Sequence, residues 1–266
     1  MNMLSKQSNY KLFDFAFFPQ YDKAIDYLAH SLADKEDWDF SDSIDKNNSI
    51  LKNYLEFTYR KLLQEKKVCY TNDNKFACFN TGLVTANLED IFGFFEEYKS
   101  PKPNFKTPFC FKGFLKKSDH SILKYFSSSI PDIADFFDKP ELLIFNPKYE
   151  LIPDLDHIIG DNLQRFPAHL QNADMAELRR QLHGAIEETR KKARSNYKIA
   201  VPQYYGNQIQ LLLPLHLTSG SPNPDLALVI HRLNDNTYTA RTCLTLKMAY
   251  NNARLIVKPQ SNWLKP

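Results

Sequence analysis

Apolar residues recur three and four apart over Ala24, Ile25, Leu28 and Leu32, and again over Ile50, Leu51, Tyr54, Leu55, Tyr59, Leu62 and Leu63. That spacing gathers them on one helix face and predicts helices within 12–66, the second over 49–64. Asp45 to Asn48 offer N-cap residues ahead of it. Between the two lies an acidic, aromatic loop, Glu36-Asp37-Trp38-Asp39-Phe40. The period then changes. Val68-Cys69-Tyr70 and Phe76-Ala77-Cys78-Phe79 flank Thr71 to Lys75, a turn composition, and predict a β-hairpin whose second strand runs into Asn80-Thr81-Gly82. Residues 88–98 read as a short helix, and three prolines make 99–108 a loop. Strands are expected over 109–115 and 142–145, and short helical turns over 120–126 and 132–137.

The helical period returns with Leu155, Ile158, Ile159 and Leu163, behind Asp154 and ending before Pro167. Asp174 then caps a long helix to about Asn196, with Met175, Leu178, Leu182, Ile186 and Ala193 on its apolar face. Residues 209–217, 226–233 and 237–246 predict a three-stranded meander. Asn234-Asp235-Asn236 is its last turn, and a helix follows over 247–255. The sum is an α+β fold, with helices packed on a mainly antiparallel sheet. A polar tail over 1–11 precedes a single domain over 12–266.

Composition narrows the chemistry. A chain of 266 residues buries a sizeable core without staples. Seven glycines argue against a glycine-rich phosphate cradle. A net charge of +3 is mild, so any nucleic-acid contact must be local. Cys69, Cys78, Cys110 and Cys243 form no CxxC pair and fit neither zinc spacing nor a disulfide scaffold; reduced, buried thiols are expected. No apolar run reaches membrane-span length and 1–11 lacks a signal peptide's apolar centre, so a cytoplasmic protein without membrane contact is expected. Nothing in the pattern names a cofactor, and no metal site is expected.

Four segments could carry chemistry. The last forty residues thread Arg241, Lys247, Asn251, Asn252 and Arg254 through a strand and a helix. Simple alternation puts Thr237, Thr239, Arg241, Cys243 and Thr245 on one strand face. Arginine grips phosphate in bidentate fashion and asparagine reads an adenine edge, so these residues suit a nucleotide or RNA. Arginines tying sheet to helix account for them equally well. In the second segment His157 stands among Asp154 and Asp161, with Asn162 and Arg165 beyond. His157 is the candidate acid or base, although a structural His–Asp pair is the commoner arrangement. Third, Asn80 and Thr81 present hydrogen-bonding groups at a strand end, as a plain turn would also do. Fourth, Arg190-Lys191-Lys192-Ala193-Arg194 and Lys198 lie beside Tyr197, Tyr204 and Tyr205, a mixture of cations and rings that can track phosphates and stack bases. A solvated helix end is the usual alternative. Glu36, Asp37, Asp39 and Asp42 could hold a divalent ion, but a capping loop is the simpler reading.

Several of these stretches resemble, together and in order, a bacterial family of domains of unknown function numbered 3825. They are Phe79-Asn-Thr-Gly-Leu83, His157-Ile-Ile with Asn162 and Arg165-Phe-Pro167, Leu211-Leu-Leu-Pro-Leu215, and Thr242 with Leu244-Thr-Leu, Ala249-Tyr-Asn-Asn-Ala-Arg-Leu-Ile256, Lys258-Pro and Trp263-Leu. Glu36-Asp-Trp and Asn48, Leu51 and Asn53-Tyr54 fit its opening section. The resemblance spans about 12–264 and implies one family-length domain. Members can be joined to RNA-associated domains of the OST-HTH type, none of which is expected within these residues, and no catalytic assignment comes with the family. The expectation is an RNA- or nucleotide-binding domain. Arg241, Lys247, Asn251, Asn252 and Arg254 would form its clamp, and Asn80, Thr81, His157, Asn162 and Arg165 would complete it. The first alternative is an enzyme acting on a nucleotide or RNA phosphate through His157, with Arg165, Arg241 and Arg254 stabilising charge. The second is a non-enzymatic interaction module, with Phe17, Phe18 or Phe94 on its contact surface.

Overall fold

A computed structural model describes residues 11–40, 47–99 and 107–264. The polar tail before Lys11, Asp42 and the expected caps at Asp45 and Lys46 lie outside them. The fold is α+β, as the alternating periods predict. The chain divides into two compact units, one to Asp135 and one from Phe136.

In unit 1 the helices are α1 (Leu12–Phe15), α2 (Tyr21–Tyr27, continued by a π turn over Leu28–Leu32), α3 (Ser49–Gln64) and α4 (His120–Phe126). The strands are β1 (Ala16–Phe17), β2 (Cys69–Tyr70), β3 (Phe76–Val84), β4 (Asp90–Glu97) and β5 (Phe109–Lys116). They form one sheet in the order β1-β5-β4-β3-β2, antiparallel except for β1 on β5. Helix α3 matches its periodicity over the full span. Asn48 stands at its N-cap in the left-handed region, and its side chain bonds Asp26 and does not cap the helix. The buried Asp39 accepts from the amides of Asn47 and Ser49, so the acidic loop serves helix entry.

Strand β4 replaces the helix expected over 88–98. It lies between β3 and β5, and Ile91 to Phe95 are buried on both faces. A strand covered on both faces loses the alternation that identifies strands. Gly93 fits closely there: a Cβ would stand 3.0 Å from the Phe79 ring and 3.1 Å from that of Phe95, so those rings would have to shift to admit one. Phe18 and Phe94 are buried, so they cannot form the contact surface of an interaction module. The turns expected over 132–137 and the strand expected over 142–145 are irregular chain and a short 3₁₀ turn at Pro140–Leu142.

Unit 2 contains β6 (Glu150–Pro153), helices α5 (Leu155–Asn162), α6 (Ala168–Gln171) and α7 (Met175–Ser195), strands β7 (Val201–Tyr205), β8 (Gln208–Leu215), β9 (Leu226–Asn234) and β10 (Thr237–Leu244), and α8 (Leu246–Arg254). The expected meander is β8-β9-β10, and the sheet adds one strand at each side, β6-β10-β9-β8-β7, with β6 parallel to β10. Pattern alone missed β7, although Gly206 and Asn207 at φ +59° and +61° make the two-residue turn that joins it to β8. One sheet face packs Leu211, Leu213, Leu215, Leu228 and Ile230 against Ile158 of α5 and Leu178, Leu182 and Ile186 of α7. Each such side chain contributes about 1.5–3 kcal/mol on burial. Asp174 caps α7 by accepting from the amides of Ala176 and Glu177. Helix α8 contacts β7, β9 and β10.

Candidate functional site

Asn80 and Thr81 lie in unit 1, whereas the other candidate residues lie in unit 2. Both are buried, and both are engaged within the sheet. Asn80 donates to the Pro131 carbonyl and accepts from the Gly82 amide. The Thr81 hydroxyl donates to the Ile91 carbonyl and accepts from the Leu83 amide. Tyr54 donates to the Thr81 carbonyl at 2.9 Å. Gly82 at φ +73° leaves room for that phenol, because a Cβ would stand 2.6 Å from its oxygen. The segment is a tied kink in β3, with its polar groups turned toward the chain itself.

Two distant segments of unit 2 do converge. Strand β6 pairs with β10 only over Thr237–Ala240. The rest of that edge is closed from α5. Arg165 Nη1 donates to the Cys243 carbonyl at 2.6 Å, to Asn162 Oδ1 and to Thr242 Oγ1. Thr242 donates to Asn162 Oδ1 at 2.8 Å, and Asn162 Nδ2 donates to the Ile158 carbonyl. Asn162 is 2% exposed. Asn162 and Arg165 thus clasp a sheet edge. Thr242 is the partner that residue type alone did not single out. Beneath the clasp, burial pushes the Cys243 thiol up to about 12, and the Arg165 charge opposes that rise.

Arg241 does not join the clasp. The β9–β10 register slips between Ala240 and Thr242, which leaves Arg241 as the extra residue of a β-bulge. The bulge breaks the expected alternation: Tyr238, Ala240 and Cys243 share the core face. Arg241 projects outward, 61% exposed, with Nε 3.5 Å from Asp154 Oδ2. The other Asp154 oxygen accepts from the His157 amide as the α5 cap. His157 Nε2 lies 3.3 Å from Asp161, and Asp156 pairs with Arg179. The His157 ring thus has Asp161 as its partner, while Asp154 and Asp156 are each paired with an arginine.

The α8 residues disperse too. Lys247 is exposed, and Arg254 is buried. Asn252 donates to Gln203, which donates to Gln210. Asn251 Oδ1 is buried without a hydrogen-bond partner. These amides form a layer between α8 and the β7–β8 hairpin, and no exposed clamp results.

The basic end of α7 stays open. Arg190 pairs with Glu187, and Lys192 with Glu188, each at 2.7 Å. Lys191, Arg194 and Lys198 are exposed, and among the described residues none has a carboxylate at ion-pair distance. Lys191 and Arg194 are neighbours by helical spacing. Asn196 ends the helix and accepts from the Lys198 amide, turning the chain toward β7. Trp263 pins this turn by donating to the Ile199 carbonyl at 2.9 Å. Tyr197 and Tyr205 are 50% and 62% exposed. Unit 1 carries 18 Lys and Arg against 19 Asp and Glu, and unit 2 carries 16 against 12, so the positive excess belongs to unit 2.

One turn earlier, α7 walls a groove of about 580 Å³. Gly184 and Ala185 line it on the helix, with Glu188 and Lys192 above them; His216 and the loop through Ser219 to Pro222 form the far wall. Asp225 holds that loop by accepting from the amides of Leu217 and Thr218 and from the Thr218 hydroxyl. Gln181 bonds the Leu217 carbonyl across it. No group of three or more His, Cys, Asp or Glu side chains is placed to hold a metal ion among the described residues. None of their helices is long and apolar enough to cross a membrane.

A model of the family described as a domain of unknown function, DUF3825, matches residues 29–263, and the chain belongs to that family. No curated protein matches it, and no solved structure does.

Proposed function

We propose that this member of the family binds single-stranded RNA on unit 2, along the C-terminal end of α7 and the turn into β7. The observation that carries this reading is the run of exposed cations Lys191, Arg194 and Lys198, unpaired among the described residues, with the exposed ring of Tyr197 next to Lys198 in the chain. Cations that spend no charge on neighbouring carboxylates are available to phosphates, and an exposed ring among them offers stacking worth about 1–3 kcal/mol per base. The site moves away from the C-terminal clamp, because Asn162, Arg165 and Asn252 are already engaged within unit 2.

A nucleotide is the second reading. It is favoured by the groove beside Lys192 and His216, whose volume lies in the range of small-molecule sites. Catalysis through His157 has the least support, since its ring is paired with Asp161.

The test is a fluorescence-anisotropy titration with a short oligouridine RNA and, separately, with ATP. The intact protein is compared with a K191A/R194A/K198A variant. RNA binding weakened by roughly 10- to 100-fold in the folded variant is expected, as three phosphate contacts imply. ATP binding that survives in this variant and is lost on Lys192→Ala would move the site to the groove. Unchanged RNA binding would reject the surface.

A further inference from the structure

Cys69 and Cys78 stand directly opposite one another on β2 and β3, and both thiols are free. Opposed residues of an antiparallel pair are roughly 4.5–5.5 Å apart at Cα and share one face of the sheet. A disulfide requires about 4.4–6.8 Å. Both side chains belong to the cluster around Phe92, Phe94, Ile122 and Phe126 under α4. Cys78 is fully buried, and Cys69 reaches the surface in part. The other two cysteines have no such partner: Cys110 faces Glu96 across the ladder, and Cys243 faces Leu228.

We propose that Cys69 and Cys78 form a redox-modification site, closing to a cross-strand disulfide under a peroxide. Cys69 is the point of entry. Its thiolate attacks hydrogen peroxide, the O–O bond breaks, and sulfenic acid forms with loss of one water. The Cys78 sulfur then displaces that hydroxyl as a second water. Two S–H bonds are lost and one S–S bond is made, and the two electrons and two protons reduce the peroxide to two waters. Burial raises both thiols above the ordinary cysteine value. Little thiolate is therefore present at neutral pH, and the reaction is slow there and faster as pH rises. The bond would fasten the two-residue strand β2 to β3 and close the turn over Thr71–Lys75.

The experiment treats the reduced full-length protein with hydrogen peroxide at mildly alkaline pH, blocks free thiols with iodoacetamide in urea, and maps peptides by mass spectrometry. A Cys69–Cys78 linked peptide is expected, with Cys110 and Cys243 recovered outside it. Dithiothreitol should reverse the link, and the oxidised protein should melt at a higher temperature than the reduced one. Cys69→Ser alters the more exposed thiol and leaves the core in place. It should abolish both the linked peptide and the melting shift. Two results would overturn the proposal. One is oxidation of Cys69 to sulfinic acid with Cys78 still alkylated. The other is a disulfide that joins Cys69 to Cys110 or to a second chain.

Discussion

The two units solve the same packing problem with different side chains. Unit 1 fills its sheet with rings: Phe79 stacks on Phe95 at 5.6 Å, Phe18 on Phe111 at 4.8 Å, and Phe76 on Tyr125 at 4.2 Å. Unit 2 fills its own with Leu211, Leu213, Leu215, Leu226, Leu228 and Ile230. Two of their elements also differ in charge. Lysines of unit 1's sheet are matched, Lys112 with Glu96 and Lys116 with Glu89, whereas the end of α7 leaves three cations open. An element whose charges are locally neutralised has little to offer a phosphate. That contrast supports the end of α7 as the proposed ligand surface.

The largest effect should come from the ring core. Phe92→Ala in β4 empties a fully buried site and should destabilise unit 1 by about 3–5 kcal/mol. Hydrogen exchange should then accelerate over 76–116 while 201–244 keeps its protection. Equal acceleration in both stretches would break the comparison and make the units one cooperative structure.

Next comes the clasp in unit 2. Arg165→Ala strands the Cys243 carbonyl and leaves Asn162 Oδ1 with Thr242 as its remaining donor, and should destabilise by about 2–3 kcal/mol in urea unfolding. Lysine should not restore it, since one ammonium cannot reproduce the fixed fork of a guanidinium. A loss confined to RNA binding, with stability unchanged, would return Arg165 to the ligand site.

The smallest effect is expected at His157. His157→Ala should leave RNA affinity within about twofold, because the ring faces Asp161 beside the α5 cap. A large loss would revive the catalytic or phosphate-contact role.

Much of the architecture was legible because amphipathic elements announce their period. Helices α3 and α7 each show one wet and one dry face, and β8 and β9 show as apolar runs bounded by turn residues. Strand β4 was illegible as a strand because both of its faces are dry, and its aromatic run fits either period. Strand β6 is four residues long, too short to show alternation. The site was legible only in part. Asn162 and Arg165 were expected to meet the C-terminal strand, and they do so through hydrogen bonds to Thr242 and Cys243. The bulge that turns Arg241 outward is a register slip, which depends on how β9 and β10 pair and leaves no trace in residue types. The basic end of α7 was visible in the sequence. Which of its cations are spent on Glu187 and Glu188 became visible only with the helix built.

The measurement that tests the central claim most directly is the salt dependence of RNA binding, compared between the intact protein and K191A/R194A/K198A. Each phosphate contact to a single strand contributes about 0.7 to the slope of log affinity against log salt. Loss of three contacts should flatten that slope by about 2. An unchanged slope, with RNA still bound, would contradict the account and place the phosphate contacts elsewhere on the chain.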